Sequence, residues 1–322
     1  MFSHTLFSLP FVLAALLLAG DGRPDPLKLL WIVLAATGAR NAANALNRLV
    51  DQPFDAANPR TAGRHLPAGT VRRRELWWLS ALMVLLFIGA TAMLNLLCLA
   101  LLPVALAFIV VYSYTKRFTW LCHFVLGFTC SMATMGAFLA LSGHFELRYF
   151  VLMLPVALWV AGFDILYACQ DIDFDRSARL HSVPARFGAK AARRLAGLCH
   201  LATLAGFALL PLFWPLGWIY AAGWLAVAGL LVAEQILGRS ERHIRLASYG
   251  INQIVAVVFL LAVAADIWLG LAMGWPESGQ VREGLLGRGM FPASPDWGRL
   301  FARDLLDSGF WQQLGQLTGI RP

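Results

Sequence analysis

The amino-acid sequence predicts an all-α membrane protein with nine transmembrane helices. Three observations carry that prediction. The 322 residues are 59% hydrophobic and only 14% charged, with a mean hydropathy of +0.66, where soluble domains carry about 45–50% apolar and about 25% charged residues. The apolar residues fall in runs long enough to cross a bilayer, which takes roughly 20 residues of helix. No segment alternates polar and apolar residues over about ten positions, as the strands of a membrane barrel would.

The runs follow in order. The first covers about 4–20 and closes at Asp21–Asp25; the second covers about 26–50. After a polar loop at 51–71 come spans at 72–94 and 96–115, separated by a tight turn near Asn95. Spans five and six cover about 121–141 and 148–168, with Ser142–Leu147 between them, and a second polar loop follows at 171–189. Spans seven and eight cover 190–212 and 216–238 around a break at Trp214–Gly217, and the ninth covers 250–274. A signal peptide is the rival reading of residues 1–20, but that run has only His4 where a Lys or Arg n-region belongs. Residues 275–322 are rich in Gly, Pro and Ser and cannot span. Within this tail Asp296 could cap a short interfacial helix carrying Trp297, Leu300, Phe301 and Leu305. The chain thus divides into a membrane domain, 1–274, and a non-spanning tail, 275–322.

Basic residues set the orientation. Sixteen Lys and Arg, among them Arg60, Arg64, Arg72–Arg74, Lys116, Arg117 and Arg176–Arg194, fall in the loops of one side. Only Arg23, Lys28 and Arg148 fall in those of the other, apart from the tail. The positive-inside rule puts the basic side in the cytoplasm. The net charge of +8 records this asymmetry and makes no case for nucleic acid. The five cysteines lack CxxC spacing and the seven histidines lack an HExxH pattern, so neither suggests a thiolate or imidazole metal site.

Two acidic clusters stand out, each at the end of a span on the basic side. One is Asn47, Asp51 and Asp55; the other is Asp164, Asp171, Asp173 and Asp175. They follow spans two and six, so the pattern repeats four spans apart. Residues four apart on a helix lie about 40° from each other, which puts Asn47 with Asp51 and Asp171 with Asp175, and turns Asp173 away. Carboxylates at a bilayer are costly and mark function. Oxygen ligands suit Mg²⁺, which is often held by one or two carboxylates together with substrate phosphates. Lys116 and Arg117 reach the same side and could complete a diphosphate clamp. Pro53 should end or kink span two near Asp51, with Asp55 on the following turn. Each feature also has a plainer reading: solvated interface acids, a positive-inside anchor at Lys116–Arg117, an interfacial aromatic at Tyr167.

Taken together, Asn47xxxAsp51xxxAsp55, the following Asn58-Pro-Arg60-Thr-Ala-Gly-Arg64, Tyr114-Thr-Lys116-Arg117 and Asp164xxTyr167xxxAsp171xxxAsp175 resemble the signatures of the UbiA superfamily of intramembrane aromatic prenyltransferases. The resemblance covers residues 1 to about 274. The wording is similar to the 4-hydroxybenzoate polyprenyltransferase branch, and also to a bacterial subgroup of the futalosine route to menaquinone, whose acceptor is a dihydroxynaphthoate-type acid. It implies a UbiA-type nine-helix bundle with a cytoplasmic helical cap in a bacterial inner membrane. It implies Mg²⁺-dependent transfer of a polyprenyl group from its diphosphate to an aromatic acid, with the isoprenoid tail lying along the helices open to membrane lipid. Carried onto this chain, Asn47, Asp51 and Asp55 would hold one Mg²⁺, and Asp171 and Asp175 the other. Lys116 and Arg117 would grip the diphosphate, and Asp164 and Tyr167 would serve catalysis from deeper in the bundle. Arg60, Arg64 and His181 would cap the site. Two other classes fit less well. A CDP-alcohol phosphotransferase needs DG and AR pairs in one continuous motif, which are absent. A cation transporter would place its carboxylates near the membrane midplane, whereas these lie at helix ends.

Overall fold

The computed structural model describes residues 5–240, 243–244 and 246–273, with side chains from residue 7 onward. The expected tail helix around Asp296 lies outside the described residues. Among these residues the chain is all helical: α1 (Thr5–Ala19), α2 (Pro26–Ala57), α3 (Arg73–Ala92), α4 (Leu96–Thr115), α5 (Cys122–Ser142), α6 (Phe150–Ala168), α7 (Ile172–Ser177), α8 (Val183–Ala208), α9 (Trp218–Leu237) and α10 (Asn252–Ala272). A 3-10 turn, Cys169–Asp171, links α6 to α7, and a π-helix, Leu246–Ile251, runs directly into α10.

Seven described helical segments are long and apolar enough to cross a membrane, and the chain is a multi-pass membrane protein. The two further spans expected from sequence are α1 and α2. The first has only 15 residues. The second has 32 but is crowded with Arg40, Asn41, Asn44, Asn47, Arg48, Asp51 and Asp55. Neither meets the length-and-composition criterion for a span. α1 is nonetheless central: Phe11, Val12, Ala14, Ala15 and Leu16 are fully buried. Phe11 packs against Trp159 at 4.9 Å and Phe259 at 5.0 Å between ring centroids.

Lipid tails are as apolar as leucine, so helices in a bilayer associate through close packing of small residues more than through water exclusion. At Gly127 of α5 a Cβ would lie 2.1 Å from the Ala157 carbonyl oxygen of α6; at Gly38 of α2 one would lie 2.8 Å from the Phe87 backbone nitrogen of α3. Only glycine allows backbones so close. Side chains close the starts of α2, α4, α8 and α9, satisfying orphan N–H groups. Asn95 caps α4 through Cys98 N–H at 2.9 Å. The buried Asp266 of α10 accepts from Gly217 N–H at 2.6 Å and Tyr220 N–H at 3.1 Å, capping α9.

Pro53 does not end α2. The helix runs on to Ala57, so the loop that follows is shorter than expected and Asp55 belongs to the same helix as Asn47 and Asp51. Proline removes only its own N–H bond, here to the Leu49 carbonyl, and lies within five residues of the helix end, where little remains to be disrupted. Neighbours hold this last turn: Arg117 donates to the Val50 carbonyl at 2.8 Å and Arg73 to the Gln52 side chain at 2.6 Å.

Candidate active site

The site forms where α2, α4, α6, α7 and the start of α8 end on one face. On α2, Asn47 donates to Asp51 at 2.8 Å, as residues sharing a face four apart can. Asp55, one turn on, is buried and accepts from Arg64 at 2.6 Å and Arg48 at 3.4 Å. Opposite, α6 ends in the 3-10 turn that brings Asp171 inward, and α7 brings Asp175 inward while Asp173 stays exposed. Asp171 and Asp175 therefore converge across a break between two helices instead of along one continuous helix.

Arg60 ties the loop after α2 to the second cluster. From the loop after α2 its Nε donates to Asp171 Oδ1 at 2.8 Å and its Nη2 to Oδ2, while Nη1 donates to the Tyr167 hydroxyl at 2.6 Å. Its Cζ also lies 4.9 Å from the centre of the Tyr167 ring. A planar guanidinium can satisfy a carboxylate bidentately and still present a third N–H. Asn58, the residue that ends α2, adds a bond from Nδ2 to Asp171 Oδ1 at 2.9 Å.

Lys116 and Arg117 diverge. The Lys116 ammonium lies 2.7 Å from Asp175 Oδ1 and acts electrostatically on both Asp51 and Asp171. Burial disfavours its charge, but Asp175 outweighs burial and holds the pKa above the usual lysine value. Arg117 instead turns to the α2 backbone and stacks over Phe54 at 5.2 Å and Tyr114 at 5.0 Å. The His181 side chain is exposed; its backbone N–H donates to the Lys116 carbonyl at 2.7 Å and pins the loop above the site. Ser182 bonds Asp175 at 2.8 Å and caps α8 through Ala185 N–H at 3.2 Å, so one hydroxyl fixes both a carboxylate and a helix start.

Deeper on α6, Asp164 Oδ2 lies 2.7 Å from Nδ1 of the buried His123. Val183 N–H points at His123 Nε2 at 3.3 Å. A backbone N–H only donates, so Nε2 accepts and Nδ1 carries the proton that it gives to Asp164. A cavity of about 370 Å³ opens beside this site, within the usual size of ligand pockets. It runs from Ala43 and Tyr112, one turn from Asn47 and Lys116, to Phe145 and Phe150 at the far end of the bundle. Its lining is apolar apart from a few groups, chiefly Arg40. Arg40 Nη1 contacts Cys130 Sγ at 2.9 Å, and its buried Nε has no partner.

A family model described as the UbiA prenyltransferase family matches residues 8–249. The chain belongs to this family. A 4-hydroxybenzoate octaprenyltransferase from Salmonella paratyphi B is 31% identical over 259 residues, covering 79% of this chain and 88% of the relative. One from Aeromonas salmonicida is 35% identical over 200 residues, covering 62% and 69%. The structure of an apo UbiA homologue from Aeropyrum pernix K1 superposes with a TM-score of 0.75 at 33% identity, covering 84% of this chain and 99% of that one. A UbiA homologue from Archaeoglobus fulgidus bound to DMAPP and Mg²⁺ shares the fold, with a TM-score of 0.55 at 17% identity, covering 81% and 99%. This UbiA-family chain is a prenyltransferase.

The donor set suits a hard divalent ion. Its polar groups are carboxylate and amide oxygens on facing helices, and Asp51 is held by an amide without an ion pair of its own. Among the described residues no three acidic, imidazole or thiol groups already form an ion cage. His123 and Arg40 belong to no sequence pattern that would single them out; each is a lone polar residue whose partner lies 41 or 90 positions away. Asn58 opens the Asn58-to-Arg64 stretch, but its bond to Asp171 spans 113 positions.

Proposed function

We propose that this chain transfers a polyprenyl group from an allylic diphosphate to 4-hydroxybenzoate or a related aromatic acid in quinone biosynthesis. The observation that carries the reading is the Arg60 bridge, which gathers Asp171 and Tyr167 to the end of α2 beside an apolar cavity running the depth of the bundle. A charged head and a long hydrocarbon tail need that combination. The relatives named 4-hydroxybenzoate octaprenyltransferase support the acceptor class, and the neighbour bound to DMAPP and Mg²⁺ supports the donor class.

In this reading Asn47, Asp51 and Asp55 hold one Mg²⁺, and Asp171 and Asp175 the other. Bound there, Mg²⁺ would offset the diphosphate charge and ease departure of the leaving group. Lys116 moves between Asp175 and a diphosphate oxygen, while Arg117 braces the last turn of α2. The Tyr167 ring faces the developing allylic cation, and Asp164, oriented by His123, accepts the proton lost from the aromatic ring. Arg60, Arg64 and the His181 loop close over the site, excluding water that would quench a cation. Arg40, a buried guanidinium with a free N–H, binds the acceptor carboxylate. All nine spans cross the membrane, α1 and α2 sheltered by their neighbours. The site faces the cytoplasm of a bacterial inner membrane, as the basic loops and bacterial relatives suggest.

The test is transfer by the protein in lipid nanodiscs, with geranyl diphosphate and either 4-hydroxybenzoate or a dihydroxynaphthoate as acceptor. Mg²⁺-dependent product is expected, lost in Asp51→Ala and Asp171→Ala. Full activity in EDTA, or in either variant, overturns the reading; preference for the naphthoate moves the enzyme to menaquinone synthesis.

A further inference from the structure

The π-helix Leu246–Ile251 is the one π-helical segment among the described residues. Such turns leave backbone carbonyls poorly paired and occur often at functional sites. This one carries Tyr249. Its ring meets the Tyr167 ring edge to face, with centroids 5.0 Å apart at 82°, and packs against Phe7 of α1 at 5.8 Å. Through the Tyr167 contact Tyr249 stands beside the Arg60–Asp171 network.

A buried polar chain holds the turn in place. Trp159 Nε1 donates to Asn252 Oδ1 at 2.6 Å. An indole N–H can only donate, so this bond fixes the Asn252 amide with Nδ2 on the other side. Nδ2 then donates to Glu234 Oε1 at 2.8 Å and reaches the carbonyls of Ser248 at 3.2 Å and Ala247 at 3.4 Å. Those carbonyls belong to the π-helix. Glu234 and Asn252 are wholly buried, in a part of the bundle where an apolar pair would be the cheaper choice. Nothing in the chemistry at Asp51 and Asp171 requires them.

We infer that Tyr249 is a further site residue, forming with Tyr167 a two-phenol wall of the reaction chamber, and that Asn252, with Trp159 and Glu234, is its positioning group. The inference rests on the proposed prenyl transfer for its kinetic consequence but not for its structural one. Two readouts separate these. Hydrogen–deuterium exchange in nanodiscs reads the turn itself: Asn252→Leu should speed exchange across 246–252 at least tenfold while leaving α5 and α6 protected. Glu234→Gln, which keeps the accepting oxygen, should leave exchange within about twofold. Steady-state transfer reads the consequence: Asn252→Leu and Tyr249→Leu should lower kcat tenfold or more with little change in KM for geranyl diphosphate. Tyr249→Phe, which keeps the edge-to-face contact, should recover most of the packing but not the hydroxyl-dependent part of the rate. Unchanged exchange in Asn252→Leu overturns the positioning role. Wild-type kcat in a folded Tyr249→Leu protein overturns the site role. Wild-type inactivity toward aromatic acids would count against the proposed function alone, since the exchange result stands without it.

Discussion

Arg60→Lys tests the architecture of the site most directly, because it keeps the charge and removes the fork. The Arg60 guanidinium makes three hydrogen bonds, two to Asp171 and one to Tyr167. A lysine ammonium in the same loop can keep about one of them. Bonds to charged groups contribute about 1.5–3 kcal/mol each, so losing two removes about 3–6 kcal/mol before solvent is counted. The Arg60 side chain is 29% exposed against 8% for Asp171, so water replaces part of the loss, and halving it leaves about 1.5–3 kcal/mol. At about 1.4 kcal/mol per tenfold, kcat/KM should fall about 10- to 150-fold. The assay is initial-rate formation of prenylated 4-hydroxybenzoate in nanodiscs, with a retained cooperative thermal transition as the folding control. A rate within twofold of wild type would refute the claim that the bidentate geometry matters. A faster variant would show that Arg60 merely cages Asp171 in the resting protein.

Three further outcomes probe the scaffold. Asp266→Ala removes the cap of α9 and should lower stability by about 1–2 kcal/mol, read as a fall in the thermal midpoint in detergent; no fall means the two bonds are immaterial. Gly127→Ala sets a Cβ 2.1 Å from the Ala157 carbonyl and should cost about 1–3 kcal/mol. Because α6 also carries Asp164, it should lose transfer activity as well, and a fully active variant would contradict the close-packing argument. In the loop between α5 and α6, burial opposes the charge of Glu146, but Arg148, Tyr149 and His144 outweigh it and hold its pKa below 4.5. Its stabilisation is complete above pH 4.5 and is lost as pH falls through the lowered value. Glu146→Gln should therefore flatten the acid limb of the stability profile, and an unchanged limb would assign it to other groups.

How far the site is legible in the sequence depends on distance along the chain. Asn47 and Asp51 lie four residues apart on one helix, so periodicity alone groups them; Asp55 joins them because the helix runs on through Pro53. Asp171 and Asp175 share a side even though a 3-10 turn interrupts them, because both the broken and the regular geometry turn alternate acids inward. Asp173 points outward for the same reason. Lys116 and Arg117 look like one clamp because adjacent basic residues are alike in a sequence. They separate in the turn beyond the end of α4, where one side chain goes to Asp175 and the other to the Val50 carbonyl. Pro53 misleads through a local rule that tertiary contacts from Arg117 and Arg73 override. The Asp164–His123 pair and the Arg40 contact are out of reach, since each depends on which helices pack together.

The two helices that fail the membrane-span criterion explain why the site sits where it does. α2 is about 48 Å long at 1.5 Å per residue, more than enough to cross a bilayer, yet too polar to face lipid along its length. α1 is about 22 Å long at the same rise and almost wholly apolar, yet its side chains are among the most deeply buried in the protein. The sequence reads both as spans, and neither meets the length-and-composition criterion. Packing shelters both: glycine at Gly38 lets α3 approach α2 closely, and α1 packs against α5 and α10. A helix shielded in this way can carry Arg40, Arg48, three asparagines and two aspartates into the bundle because protein, not hydrocarbon, surrounds them. Its alanine-rich face, with Arg40, then becomes one wall of the cavity and its end one half of the acidic site. The residues that spoil α2 as an isolated span are the same residues that give the bundle a polar head beside an apolar channel.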